Sequence, residues 1–119
     1  MTSYEYLKVK KSDGIARITF DRPKHNVLNI DMMAEFTTEL DMLQTDTALK
    51  CIVILGEGPS WCAGVEVADH KPDMAPAMIA AFNSIFESIE KIDVPIIAGV
   101  HGACLGGGME AVSYTHLRA

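Results

Sequence analysis

Two short stretches near the start of the chain alternate apolar and polar residues with a period of two. Leu7 and Val9 are interleaved with Lys8 and Lys10, and Ala16, Ile18 and Phe20 with Arg17 and Thr19. Such alternation buries one face of a strand, because successive side chains point to opposite sides of the pleat. Ser12-Asp13-Gly14 between them is a turn signal, so the pair predicts a β-hairpin. Arg22-Pro23 ends the second strand, since proline has no N–H to give to a ladder. The period then changes. Met33, Phe36, Leu40 and Leu43 fall three and four apart, the spacing of one helix face, with Asn29 or Asp31 as the cap. Cys51 to Leu55 is a continuous apolar run halted by Gly56, and its length and β-branching predict a strand covered on both faces. Gly56 to Pro76 reads as a loop with one helical turn. Ile79, Phe82, Ile85, Phe86, Ile89 and Ile92 mark a second helix, and Asp93-Val94-Pro95 breaks it. Ile96 to Val100 predicts another buried strand, after which a glycine-rich turn opens a last helix at about Gly106 to Glu110. This order, with no linker or repeat, is that of one α/β unit.

Composition narrows the class. At 119 residues the chain makes one small domain, and 49% hydrophobic with 22% charged residues excludes a disordered tail. Ten Lys and Arg against sixteen Asp and Glu give a formal charge of −6, which argues against nucleic-acid and anionic-membrane partners. The longest apolar stretch, Val94 to Met109, carries His101 and five glycines and is no membrane span. The N-terminus has no apolar run that could serve as a signal peptide. Cys51, Cys62 and Cys104 are odd in number and form no Cys-x-x-Cys pair, so they read as reduced thiols. A soluble cytoplasmic protein is the expectation.

The chemistry concentrates in two loops. Gly102-Ala103-Cys104-Leu105-Gly106-Gly107-Gly108-Met109-Glu110 follows a buried strand, and each glycine destabilises a helix start by about 1 kcal/mol relative to Ala. Two readings fit. Bare backbone N–H groups at a helix start suit an oxygen that gains negative charge, with Glu110 nearby as acid or base. Alternatively the glycines make a tight packing contact and Glu110 simply complements the helix dipole. Gly58-Pro59-Ser60-Trp61-Cys62-Ala63-Gly64-Val65-Glu66 follows the Cys51–Leu55 strand, where α/β proteins place ligand loops. It reads either as a second backbone donor or as a surface loop anchored by Trp61. Gly56-Glu57-Gly58 lacks the third glycine of a dinucleotide turn, and neither a P-loop nor a Gly-x-Ser-x-Gly elbow is present. His101 and Cys104 have no second ligand pair, so no metal is expected. His25 and His70 read as solvated. The Met residues of the first helix and the Phe residues of the second read as core.

These loops, in this order, resemble the crotonase (enoyl-CoA hydratase/isomerase) superfamily over Tyr4 to Ala111. Phe20-Asp21-Arg22-Pro23-Lys24-His25-Asn26-Val27-Leu28-Asn29 looks like the family's opening segment beside the CoA adenine pocket. Ser60 to Glu66 and Val94 to Glu110 look like its two oxyanion-hole loops. The resemblance implies that the amides of Val65 and Gly107 bind the thioester carbonyl oxygen, and that Glu110 matches the first of the hydratases' two catalytic glutamates. Val65, Glu66, Val67 and Ala68 would flank the acyl-pantetheine end, and Arg22, Lys24 and Lys71 the nucleotide phosphates. The implied reaction adds water to an alkene or diene conjugated to a CoA thioester, with no cofactor. The Trp61–His70 segment looks most like the cyclohexa-1,5-diene-1-carbonyl-CoA hydratases of anaerobic aromatic degradation.

Glu66 stands where family members often carry Asp. Family chains are also much longer, and their second catalytic acid comes after the point where this chain stops. Residues 1–112 are therefore expected to be the N-terminal half of a crotonase-fold α/β domain of ββα units, and residues 113–119 a non-native tail. By resemblance the full-length parent is a homotrimer or hexamer, and the 119-residue chain alone is expected to be poorly folded and inactive. Alternatives are an enoyl-CoA isomerase or acyl-CoA hydrolase on the same fold, or a non-catalytic acyl-CoA-binding fragment.

Overall fold

The structure, a computed structural model, describes residues 4–23, 25–62, 64, 72–102 and 117–118. Strand β1 (Leu7–Ser12) and strand β2 (Ile15–Phe20) pair antiparallel, with Ser12 opposite Ile15. Asp13 and Gly14 both take positive φ, 55° and 81°, which is the two-residue turn whose twist matches a hairpin. Helix α1 (Ile30–Leu43) then carries the chain to strand β3 (Cys51–Gly56), parallel to β2. Helix α2 (Ala75–Glu90) carries it to strand β4 (Ile96–Ala98), parallel to β3. A two-residue strand that the sequence pattern does not announce, β5 (Leu117–Arg118), pairs parallel with β4. The sheet order is β1-β2-β3-β4-β5.

One face of this sheet is the core. Registered rows Ala16–Ile52–Ile96 and Ile18–Ile54–Ala98 run across β2, β3 and β4, and every one of these residues is buried. The stripe of α1, extended by Met32, packs into the same cluster. Asn29 is the cap: its Oδ1 accepts the Met32 N–H at 2.7 Å, and Asp31 stands in the first turn. Asn29→Ala is expected to cost about 1 kcal/mol of stability, read as a lower denaturation midpoint with an unchanged slope.

Four expectations need correcting. Strand β3 is covered fully on one face only, because Ile52 and Ile54 are buried while Cys51, Val53 and Leu55 are half-buried. Both crossover helices bring their apolar faces to the same core, leaving the opposite face beside Arg17 and Thr19 of β2. In α2 only the C-terminal half is inside: Ile85 and Ile89 are buried, whereas Ile79 is 53% exposed. Phe82 and Phe86 are therefore peripheral rather than core, half-buried and edge-on to each other at 4.8 Å. In α1, Met32 and Met33 are core but Met42 lies on the outer side, 44% exposed. Strand β4 also stops at Ala98 rather than Val100. The Gly99 N–H still donates to Ile54 O at 2.9 Å, and the chain then leaves the sheet.

Candidate active site

Strands β2, β3 and β4 are parallel, so the chain leaves all of them at the same end of the sheet. In α/β sheets the carboxyl ends of parallel strands are where loops converge on a ligand. The described residues of segments 21–28, 57–64 and 99–102 meet there, and they are bonded to one another rather than merely adjacent.

The first segment turns on Asn26, which is buried and takes φ 53°, a left-handed conformation that Asn tolerates better than other non-glycine residues. Its Oδ1 accepts the Arg22 N–H at 2.9 Å, and its Nδ2 donates to Glu57 O and Ser60 O, each at 2.8 Å. Leu28 N–H donates to Gly64 O at 2.8 Å, closing the far end of the same loop. His25 is exposed, as the sequence suggested, yet its Nδ1 is hydrogen-bonded to the Ser60 hydroxyl at 2.7 Å. Arg22 is half-buried; its guanidinium donates to Val27 O at 2.8 Å and lies 6.0 Å from the Tyr6 ring centroid.

The second segment is anchored from below. Trp61 is fully buried, its indole N–H donates to Ile54 O at 3.1 Å, and its ring meets Phe20 edge-on at 5.4 Å. Phe20 in turn meets Phe36 of α1 at 5.3 Å, so the loop is tied to the core by an aromatic chain. Cys62 is buried and Cys51 half-buried, and neither forms a disulfide. The third segment is bonded to the second: Trp61 N–H donates to His101 O at 2.9 Å, and His101 Nε2 is hydrogen-bonded to Gly58 O at 2.7 Å. Gly102 takes φ 60° and packs directly on the Pro59 carbonyl.

This base is held together because its polar groups satisfy one another, with Asn26, Ser60 and Trp61 doing so from buried positions. The chain departs from it at Gly64 and at Gly102. The next residues in sequence are those to which the resemblance assigns the chemistry. Of the expected site residues, Arg22 belongs to the described part. Lys24, Val65, Glu66, Val67, Ala68, Lys71, Gly107 and Glu110 lie outside the described residues, as do Cys104, His70 and the expected last helix. Sequence reasoning missed Asn26, Ser60 and the His101–Gly58 contact. An Asn between a polar turn and Val27-Leu28 is a known left-handed signal; the other two depend on tertiary contact alone. Two clefts among the described residues, about 200 and 280 Å³, lie at the opposite end of the sheet, around Asp13, Asp46 and Asp93. No helix among the described residues is long and apolar enough to cross a membrane.

Comparison with known proteins adds a family. Residues 10–118 match the family profile described as enoyl-CoA hydratase/isomerase. The chain is 29% identical to the mitochondrial Delta(3,5)-Delta(2,4)-dienoyl-CoA isomerase of Dictyostelium discoideum, over 99% of its own length and 46% of that protein's. It is 28% identical to the cyclohexa-1,5-dienecarbonyl-CoA hydratase of Thauera aromatica, over 92% and 42% respectively. Among solved structures, Pseudomonas aeruginosa DspI superposes with a TM-score of 0.91 at 25% identity, covering 99% of this chain and 47% of that one. An enoyl-CoA hydratase from Mycobacterium avium subsp. paratuberculosis K-10 superposes at 0.88 and 24% identity, covering 99% and 48%. The chain thus spans less than half the length of each of these two curated relatives, 46% and 42%.

Proposed function

Because this chain belongs to the enoyl-CoA hydratase/isomerase family and has its crotonase-type α/β fold, we propose that it supplies the carbonyl-binding half of a CoA-thioester hydratase. Water adds to an alkene or diene conjugated to the thioester. The enolate oxygen that develops is held by the Val65 and Gly107 N–H groups, and Glu110 moves one proton. Two donors aimed at a developing oxyanion act on the transition state more than on the bound substrate, and each is worth about 3–4 kcal/mol in comparable sites. Arg22, Lys24 and Lys71 attract the nucleotide phosphates, while Val65 to Ala68 flank the acyl-pantetheine end.

One observation carries this reading. The 57–64 and 99–102 segments, which lead into the two donor positions, are bonded at Trp61 N–His101 O and lie at one end of a parallel sheet. Their neighbour, the 21–28 segment, is bonded to the first of them through Asn26 and Leu28. The Thauera relative supports a cyclic dienoyl thioester as the substrate class. The Dictyostelium relative favours a second reading, in which the same site shifts a double bond instead of adding water.

Product mass separates the two. The protein as its gene encodes it is incubated with a linear 2-enoyl-CoA and with cyclohexa-1,5-diene-1-carbonyl-CoA. Hydration adds the mass of one water to the thioester, isomerisation leaves the mass unchanged, and hydrolysis releases free CoA. The proposal expects the first outcome with at least one substrate; no change in either substrate would contradict it.

A further inference from the structure

We infer that Asn26 is a positioning residue that sets the place of the 57–64 loop, and through it the placement of the Val65 amide. The catalytic half of this inference rests on the reading given under Proposed function; the half that concerns the loop does not. Asn26 is 1% exposed, and its φ of 53° holds the carboxamide against the loop. Both N–H bonds of Nδ2 are used on carbonyls of that loop, Glu57 O and Ser60 O at 2.8 Å, and Oδ1 accepts the Arg22 N–H at 2.9 Å. The clamp grips the loop at two points on the near side, while the Leu28–Gly64 bond holds the far side. The residue between these grips, Trp61, packs on Phe20 and bonds Ile54 O, so a shift at Ser60 reaches the ring beside it. A displacement of an ångström in a group that positions catalysis costs about 100-fold in rate.

Two substitutions isolate the clamp. Asn26→Asp keeps the acceptor for Arg22 N–H and tolerates the left-handed backbone, but sets a carboxylate oxygen against two carbonyl oxygens. Asn26→Gly keeps the backbone and removes the carboxamide altogether. Trp61 is the only tryptophan of these 119 residues, and with any tryptophan encoded beyond them replaced by Phe its fluorescence reads the loop independently of turnover. In the protein as its gene encodes it, apart from any such replacement, both variants are expected to raise acrylamide quenching of Trp61 severalfold. The kcat for the thioester is expected to fall about 10- to 100-fold while KM moves less than about threefold, since donors misplaced for the oxyanion affect the transition state most.

Quenching at the wild-type level in both variants would overturn the inference whatever the activity. So would raised quenching with unchanged kcat, or a lower melting temperature with kcat per folded molecule unchanged. If the wild-type protein turns over no CoA thioester, the proposed function fails, and quenching alone decides whether Asn26 places the loop. Should Asn26→Asp not fold, Asn26→Gly gives the same readouts without the added charge.

Discussion

Gly102→Ala is expected to destabilise the protein by about 2–4 kcal/mol and to take most of the turnover with it. Two effects add at this position. The backbone sits at φ 60°, where a Cβ is strained whatever space surrounds it. An ideal Cβ at Gly102 would also collide with the Pro59 carbonyl oxygen, and would stand 3.0 Å from the Pro59 carbonyl carbon and 3.2 Å from Ser60 Cα. These are backbone atoms, so no side chain can turn aside to make room. Either the 99–102 segment or the 57–61 turn must withdraw, and the Trp61–His101 and His101–Gly58 bonds lie directly in the way. Gly14→Ala is the control. It too has positive φ, 81°, but its Cβ would meet chiefly the flexible Lys50 side chain, at 2.8 and 2.9 Å, at the other end of the sheet. Thermal melts and steady-state rates of both variants check the pair. Gly14→Ala should lower stability and leave kcat alone, whereas Gly102→Ala should lower both.

The second large effect is chemical. On the proposed assignment Glu110 carries one proton of the addition, and glutamine keeps its size and polarity while removing its ability to do so. Glu110→Gln is expected to lower kcat by about 10²–10⁴-fold, the range that a positioned general acid or base contributes. Binding of the CoA thioester should survive, since the implied carbonyl and phosphate contacts come from other residues. Equilibrium binding and single-turnover rates of the variant separate these two quantities, and undiminished turnover would remove Glu110 from the mechanism.

Much of the frame is readable because it is local. The hairpin follows from two alternating runs and an Asp-Gly turn, and α1 follows from one stripe with Asn29 before it. Burial at α2 did not follow from its stripe, since a period says which residues share a face but not how far the helix overhangs its support. Ile79 continues the apolar pattern and is still 53% exposed. The second face of β3 failed for the same reason: Val53 and Leu55 read as core by type, but cover comes from whatever packs above them. At the site, the three segments and their order were legible as a family resemblance, and the structure brings their described parts together. What joins them was not. The Asn26 clamp links residues 31 and 34 apart in sequence, and the Gly102–Pro59 contact exists only once β3 and β4 are paired.

The central claim is that the two loops at the carboxyl ends of β3 and β4 hold a thioester carbonyl oxygen between backbone donors. The most direct measurement is the infrared carbonyl band of a ¹³C-labelled enoyl-CoA bound to the Glu110→Gln protein, which is expected to bind the thioester while turning it over far more slowly. Two N–H donors polarise the carbonyl, so the account predicts a band shifted to lower frequency on binding, and a smaller shift when Gly102→Ala is added. A bound thioester whose carbonyl band stays at its solution position would contradict it.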